Sequence, residues 1–255
     1  MHVLSAVANG HYTSEQAARD GYESVAVSTK PVIEMADSVA LAAAAAVKLT
    51  GADVSIVTYS SIHDNGVGGF WQPAAFLQRR LQASDAISLS VHHGCNGLML
   101  SILANASMLA LKDGTGIAVA ADRFSGSGFN RWSSDAGIAY GDAAVALCLS
   151  SERGFARILY MDVDSVPELE EMHRGDPDDS DRWDVSSRKK RFLSLYGKKA
   201  FFDQMEAAIS RLKVRLAEAG LAGAGGYGAV VIPFVGQSIA ATLYEPHFAY
   251  LGAEH

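Results

Sequence analysis

The segment AISLSVHHGCNGLMLSILANASMLAL, residues 86–111, joins a predicted strand to a predicted long helix. Residues 86–91 form a short apolar run, which is typical of a strand that is covered on both faces. From Gly94 to about Leu111 the sequence is apolar and uncharged, and this length predicts a helix. The two glycines that flank Cys95 predict a tight turn where the strand ends.

The same alternation extends in both directions from this segment. Before it, the sequence predicts a helix from Pro31 to near Gly51, a strand over 53–59 and a helix over 73–81. After it, residues 116–121 predict another strand. Strands that alternate with helices of this length indicate βαβ units and a largely parallel sheet. The predicted fold class is therefore α/β.

The pattern is less regular beyond residue 121. A loop rich in glycine and serine over 123–137 precedes AAVALCLS, residues 143–150, and FARILYMDV, residues 155–163. The turn residues between these two apolar segments predict a hairpin. Residues 167–191 carry the densest charge in the chain, and they predict a solvated loop between two halves.

The C-terminal part begins with apolar residues at helical spacing over 198–219, which predict an amphipathic helix. A strand over 228–233 and a short helix after Gly236 are predicted to follow. We therefore expect three regions, namely an N-terminal half over 1–165, a charged connector over 166–197 and a partial C-terminal half over 198–255.

Composition excludes several classes of protein. The chain has 255 residues, of which 49% are hydrophobic and 19% charged, and this is typical of a globular protein. A net charge of −7 offers no basic surface for nucleic acid. The alanine-rich run 39–47 is much shorter than the roughly 20 apolar residues of a membrane span. Two cysteines make no disulfide framework and the N-terminus shows no secretory signal, so a cytoplasmic location is expected.

Cys95 is the residue that combines reactivity with a favourable predicted position. At a helix N-terminus, backbone N–H groups and the helix dipole favour the thiolate, which is the nucleophilic form of cysteine. The alternative is that Cys95 is a small buried hydrophobic residue, as cysteines in α/β cores often are. Cys148 lies within a predicted strand without neighbouring glycine or histidine, and it is expected to be structural.

The histidines suggest no second site. His92 and His93 could serve as a general base beside Cys95. The expected alternative is that alternation along the strand places them on opposite faces, each satisfied by a backbone carbonyl. The other histidines are scattered and the two cysteines are far apart, so no metal site is expected.

Three ordered segments resemble the thiolase-fold ketoacyl-ACP synthase III family, and particularly its acyltransferase branch in polyketide and antibiotic pathways. They are HHGCNGLMLSILANASMLAL, GIAVAADRF and RWSSDAGIAYGDAAVALCLS, residues 92–111, 116–124 and 131–150. The segments FWQPAAFLQRRL, GFARIL, LEEMHRGDP and RKKRFL extend the resemblance over nearly the whole chain. The resemblance implies a layered αβαβα thiolase-like fold.

The resemblance also implies roles for individual residues. Cys95 would accept an acyl group from an acyl carrier protein or coenzyme A thioester, with no other cofactor. Its backbone N–H would supply half of an oxyanion hole, within a turn formed by Gly94, Asn96 and Gly97. The remaining residues with implied roles are His63, Phe70 and Trp71 at an acyl pocket or homodimer interface, and Arg174, Arg188 and Arg191 at a docking surface for the donor. For the arginines, the alternative is a solvated connector with internal ion pairs.

One departure from the family bears on the reaction. Condensing members place a histidine directly after a proline of a C-terminal strand, whereas here Pro233 is followed by Phe234. A phenyl ring neither donates a hydrogen bond nor accepts a proton. The expected reaction is therefore acyl transfer to a hydroxyl or amine acceptor in secondary metabolism. A priming condensation and a non-catalytic partner subunit with this fold are the alternatives.

The sequence is shorter than the family pattern at both ends, and the C-terminal half is expected to be incomplete. The later segment in which the acyltransferase branch carries a histidine and an aspartate is not reached before His255. This leaves three alternatives: the sequence is a fragment, a separate polypeptide supplies the rest, or catalysis has been lost.

Overall fold

The structure is a computed structural model that describes residues 21–22, 24–62, 70–132, 134–135, 137–175, 184–222, 227–233, 235–248 and 251. These residues form two compact units. The first contains residues 25–128 and 141–159, and the second contains residues 21–24, 129–140 and 160–251. The predicted α/β class is confirmed by helices that flank a four-stranded sheet.

The first unit contains the sheet. In chain order its elements are α1 (Val32–Ala46), β1 (Val54–Ser60), α2 (Pro73–Arg80), β2 (Ile87–Val91), α3 (Gly97–Leu109), β3 (Thr115–Asp122) and β4 (Ala143–Ser150). The strand order is β2-β1-β3-β4, with the first three strands parallel and β4 antiparallel to β3. The largely parallel sheet predicted from the sequence is therefore confirmed, with each predicted element in this unit shifted by only a few residues.

Helices cover both faces of this sheet. On one face, α1 and α2 pack against the strands, and the core there is aliphatic, with Met35, Leu77, Val57 and Ile117 almost completely buried. On the other face, α3 packs against β1 and β3. Every residue of β1 is buried, as expected for a central strand with both faces covered.

Asp142 ties three segments of the first unit together just before β4. Its carboxylate accepts hydrogen bonds from the backbone N–H of Ser28 at 2.9 Å, the backbone N–H of Phe124 at 2.8 Å and the hydroxyl of Ser125 at 2.6 Å. The Asp142 N–H in turn donates to the Ala26 carbonyl at 2.8 Å. Asp142 is fully buried, so these bonds compensate a charge that would otherwise be costly to bury.

The second unit is helical in its described residues. Its helices are α4 (Val185–Tyr196), α5 (Lys198–Glu218), α6 (Gln237–Leu243) and α7 (Glu245–Phe248), preceded by a 3-10 helix over Pro167–Met172. Buried Asp135 accepts hydrogen bonds from Lys189 Nζ at 2.6 Å and from the Tyr140 hydroxyl at 2.8 Å, which holds the 129–140 loop against α4. The predicted helices over 198–219 and after Gly236 are confirmed.

The predicted hairpin is wrong in its second strand. β4 forms as expected but pairs with β3, and residues 155–163 form no strand. Within the second unit, Arg211 Nη2 donates to Asp164 at 2.6 Å and Arg215 pairs with both Asp162 and Asp164. These ion pairs hold the end of the segment along α5.

Two other predictions are also wrong. Residues 228–233 form no strand. The charged stretch predicted as a loop contains α4, whose N-cap Asp184 accepts a hydrogen bond from the Ser187 N–H at 2.9 Å. None of the helices that the structure describes has the length and apolar character needed to cross a membrane.

Replacing Asp142 tests its structural role. In Asp142→Asn, the side-chain amide would face donors that now meet a carboxylate oxygen, so we expect the free energy of unfolding to fall by about 2–4 kcal/mol. Urea denaturation followed by circular dichroism measures this loss. Asp113→Asn is the matched control, because it makes the same charge change at an exposed position and should shift stability by less than about 0.5 kcal/mol. Equal stability of the two variants would contradict the role assigned to Asp142.

Candidate active site

The candidate site lies at the carboxyl ends of the parallel strands. β2 ends at Val91, and after His92 and His93 the chain forms a 3-10 turn over Gly94–Asn96 that leads directly into α3. Cys95 is in the middle of this turn and is exposed. In open α/β sheets, ligands bind at this edge, where the strands deliver their loops.

Two glycines make the turn possible, each for a different reason. Gly94 has a φ of +51°, a left-handed conformation that other residues adopt only with strain. Gly97 lies so close to the end of β1 that a Cβ there would be 2.9 Å from Ser60 Cβ. The sequence HHGCNG therefore presents Cys95 at the very start of α3, beside the end of the central strand.

The backbone of the turn is largely satisfied by its own hydrogen bonds. The Asn96 N–H donates to the His93 carbonyl at 3.2 Å, and the Gly97 N–H donates to the Gly94 carbonyl. Gly94, Asn96 and Gly97 therefore shape the turn. The role of the Cys95 N–H in an oxyanion hole, which the family resemblance implies, stays a prediction.

The histidines beside Cys95 do not occupy the predicted positions. β2 ends before them, and both His92 and His93 are exposed. The expectation that they lie on opposite faces of the strand is wrong, because the chain leaves the sheet at Val91 to form the turn. Both imidazoles are accessible from the solvent on the same short segment as Cys95.

Cys148 differs from Cys95 in its surroundings. It lies on β4 opposite Ile117 of β3 and packs partly buried against the aliphatic core. Burial raises the pKa of the Cys148 thiol to about 11, which keeps it protonated at neutral pH.

The aromatic residues assigned to an acyl pocket or interface lie just before α2. Trp71 makes an edge-to-face contact with Phe76, with ring centroids 5.7 Å apart, and remains 40% exposed. Phe70 is fully exposed. His63, the third member of this group, lies outside the described residues. The role of these residues at an acyl pocket stays a prediction.

The three arginines assigned to donor docking lie together in the second unit. Arg191 Nη2 donates to the Arg174 carbonyl at 3.3 Å, and a Cβ on Gly175 would be 3.0 Å from the Arg188 guanidinium. Arg174 also pairs with Glu170, its Nε lying 3.1 Å from the carboxylate. The cluster therefore has the internal pairing expected of a charged connector, and Arg174 and Arg191 are its exposed members, whereas the Nε of Arg188 is buried.

Asp122, which the sequence did not single out, lies at the same edge of the sheet. Its two carboxylate oxygens both accept from the Ile62 N–H at 2.9 Å, which fixes the chain as it leaves β1. Burial, with the Asp122 charge as the second cause, raises the pKa of Tyr59 above its usual range. The Tyr59 hydroxyl is therefore a hydrogen-bond donor, and it donates to the Ala121 carbonyl at 3.2 Å. No sequence signal beyond a carboxylate at a strand end marked Asp122.

The described residues hold no cluster of three or more His, Cys, Asp or Glu side chains that could bind a metal ion.

The similarity of this chain to known proteins is found among solved structures. No family model matches the chain, and no curated protein matches it. Among solved structures, the chain is similar to the acyltransferase ChlB3, with 30% identity over 99% of this chain and 77% of that one and a TM-score of 0.84. It is also similar in fold to AbyA1, a tetronic acid condensing enzyme, with 16% identity over 94% of this chain and 74% of that one and a TM-score of 0.69. A third similar structure is 3-oxoacyl-[acyl-carrier-protein] synthase III from Aquifex aeolicus VF5, with 17% identity over 90% of this chain and 70% of that one and a TM-score of 0.60.

The two thiols should differ in reactivity. We expect iodoacetamide at pH 8 to modify Cys95 in the folded protein and to leave Cys148 intact, because the buried Cys148 thiol stays protonated. The thiolate fraction of Cys148 rises only as the pH approaches about 11, so its modification should begin there. Peptide mass spectrometry locates the label. Comparable labelling of both cysteines at pH 8 would contradict this assignment, and Cys95→Ser and Cys148→Ser identify each site.

Proposed function

Because this chain belongs to the thiolase-fold ketoacyl-ACP synthase III family, we propose that it is an acyltransferase with Cys95 as its nucleophile. It takes an acyl group from a thioester of an acyl carrier protein or coenzyme A and passes it to a hydroxyl or amine acceptor. The similarity to the acyltransferase ChlB3 over almost the whole chain supports this reading. The pathway context that we propose is polyketide or other secondary metabolism.

The observation that carries the proposal is the position of Cys95. An exposed thiol lies in a turn at the start of a 13-residue helix, at the carboxyl edge of a parallel sheet. The N-terminus of a helix favours the thiolate over the thiol, because of its unsatisfied N–H groups and its dipole. Cys95 is exposed, and its position at the start of α3 supports the proposal that it reacts as a thiolate.

The proposed reaction has two half-reactions. First, the Cys95 thiolate attacks the carbonyl carbon of the donor thioester. The donor's carbon–sulfur bond then breaks, and the released thiolate takes a proton from solvent. Second, the acceptor oxygen or nitrogen attacks the Cys95 thioester, loses its proton and displaces the Cys95 thiolate. A hydrogen bond from the Cys95 N–H to the oxyanion would contribute about 3 kcal/mol to each addition.

Phe234 favours transfer over condensation. Decarboxylative condensation generates an enolate, which needs a hydrogen-bond donor at its oxygen. Condensing relatives supply a histidine after the proline of the C-terminal segment, whereas Pro233 is followed here by Phe234. Acyl transfer involves no enolate, so it does not need that donor. Phe234 lies outside the described residues, so the preference for transfer over condensation is argued from the chemistry of its side chain alone.

The donor is proposed to dock through the arginine cluster of the second unit. Carrier proteins and coenzyme A both present phosphate or carboxylate groups, and guanidinium groups bind such anions with directional hydrogen bonds. Arg191 is exposed, whereas Arg174 shares its charge with Glu170. We therefore expect Arg191 to contribute more to donor binding than Arg174.

We also propose a homodimer that pairs the β2 edges of two copies. In the part of the sheet that the structure describes, β2 has β1 as its one neighbour. Its Ile87 and Leu89 are 47% and 42% exposed. The strand contains no charged residue or proline that would prevent pairing with another strand. Two such edges related by a two-fold axis are self-complementary, because each strand meets the same strand running antiparallel.

The acyl-enzyme intermediate is directly testable. Incubation with an isotopically labelled acyl thioester should place the label on Cys95, which tryptic mass spectrometry can locate. Cys148→Ser should still acquire the label and Cys95→Ser should not. Parallel reactions with carrier-bound and coenzyme A-bound acyl groups identify the donor.

Two outcomes would contradict the proposal. Folded wild-type protein that takes no label from either donor would favour a non-catalytic partner subunit. Release of carbon dioxide from a malonyl thioester, with a chain-extended product, would favour a priming condensation.

The homodimer can be tested at β2. Leu89→Lys places a charge on the exposed edge strand, so we expect light scattering after size exclusion to give half the mass of the wild type. Leu111→Lys is the matched control, because Leu111 is 85% exposed beyond the end of α3 and its replacement should leave the dimer intact. A monomeric wild type, or a dimeric Leu89→Lys, would refute the interface.

A further inference from the structure

A buried polar cluster lies beneath the helix that begins after Cys95. Asn105, two turns into α3, is fully buried and its Nδ2 donates to two oxygens. One is the hydroxyl of Thr58 on β1 at 2.8 Å, and the other is the carbonyl of Ser101 in the same helix at 2.7 Å. A single side chain therefore links α3 to the central strand.

The same side chain also fits closely against β3. A Cβ on Gly116 would lie 2.2 Å from Asn105 Oδ1, so the amide occupies space that only a glycine leaves open. Ile56 pairs with Gly116 in the sheet, and Thr58 is two residues further along β1 on the same face. Asn105 is therefore held between two neighbouring strands and cannot shift along either one.

A second fixed point lies at the start of the helix. Gly97 contacts Ser60 of β1, and a Cβ at residue 97 would be 2.9 Å from Ser60 Cβ. Gly97 and Asn105 are separated by about 12 Å along α3 at the normal rise per residue. Two such points on one face set both the rotation of the helix and its position along the sheet. Cys95 lies two residues before the first of them.

The cluster contains buried polar atoms that lower the stability of the fold. Among the described residues, neither Asn105 Oδ1 nor Ser101 Oγ has a hydrogen-bond partner. Each buried polar atom left in this way costs about 1–3 kcal/mol. An aliphatic face, such as the one that α1 presents to the same sheet, would avoid that cost. Hydrogen bonds depend on direction more strongly than aliphatic contacts do. The cluster therefore fixes the orientation of α3 on the sheet, beside the turn that carries Cys95.

We propose that Asn105 and Thr58 are positioning residues for the Cys95 thiol. Their hydrogen bond sets the register of α3 on the sheet, and the register sets where the Gly94–Asn96 turn presents the thiol. Neither residue contacts the reacting atoms. The inference rests on the proposed function in that it takes Cys95 to be the nucleophile.

The test removes both partners of the hydrogen bond together. In Thr58→Val/Asn105→Leu, no polar atom of the pair is left without its partner, so we expect the melting temperature to stay at or above that of the wild type. The rate of Cys95 alkylation by iodoacetamide should nevertheless fall about tenfold or more, and its pH midpoint should rise, because a helix out of register distorts the Gly94–Asn96 turn and points the thiol away from the first N–H groups of α3. The pH profile of alkylation is a readout that a purely structural role would not change.

Three further variants complete the design. Thr58→Ser keeps the hydroxyl and should retain the wild-type pH profile. Thr58→Val alone preserves the packing against Gly116 and serves if the double variant does not fold. Ser55→Ala is the matched control at the opposite end of β1, where the Ser55 hydroxyl donates to the Asp113 carbonyl at 2.6 Å. It should lower stability and leave the alkylation of folded protein unchanged.

A wild-type alkylation rate and pH midpoint in folded Thr58→Val/Asn105→Leu would overturn the inference. Failure of the proposed function has a different signature. A wild type that is alkylated at Cys95 but takes no acyl label would refute acyl transfer, whereas the alkylation comparison would still report on positioning.

Discussion

The candidate active site depends on the close approach of helix α3 to the end of strand β1. Gly97 sits against Ser60 at a distance that leaves no room for a side chain. Any larger residue would lift the start of the helix away from the sheet, since protein interiors are packed too densely to absorb an extra carbon. The turn that carries Cys95 ends at Gly97, so only Cys95 and Asn96 separate the thiol from this fixed contact. Its geometry therefore follows from a backbone contact.

The two faces of the sheet are built on different physical principles. The face under α1 and α2 is aliphatic, so its contribution to stability scales with buried area and tolerates small shifts. The face under α3 includes Thr58, Ser101 and Asn105, whose hydrogen bonds depend on direction and tolerate little movement. Both faces bury apolar residues, and the face under α3 adds directional hydrogen bonds that define where the helix lies. The turn that carries Cys95 adjoins the face under α3, where hydrogen bonds fix the position of the helix.

The sequence predicted the central elements because their signals are local. β1 and β3 are apolar runs covered on both faces, and α1 begins after a proline with its apolar residues at helical spacing. β2 was also predicted as a covered strand, but it lies at the edge of the described sheet and none of its residues is buried. Residues 155–163 and 228–233 have similar apolar runs but need a partner strand, and no local signal supplies one. Helix α4 was missed because its charge density resembles that of a solvated loop, although Asp184 is a favourable N-cap residue. Asn105 could not be predicted as important, because its contacts are with Thr58 and Gly116, which are distant in sequence.

The acceptor determines what more the chemistry needs from the protein. A neutral amine attacks a thioester without prior deprotonation and can release its proton to water afterwards. A hydroxyl needs a base near the thioester during the attack, and neutral imidazole is the side chain best matched to that task at neutral pH. His92 and His93 are the exposed imidazoles that adjoin Cys95 in sequence. Acyl transfer to an amine that is already neutral therefore needs no base beside the Cys95 turn, whereas transfer to a hydroxyl requires one of these histidines, or a group from elsewhere, to reach the acceptor.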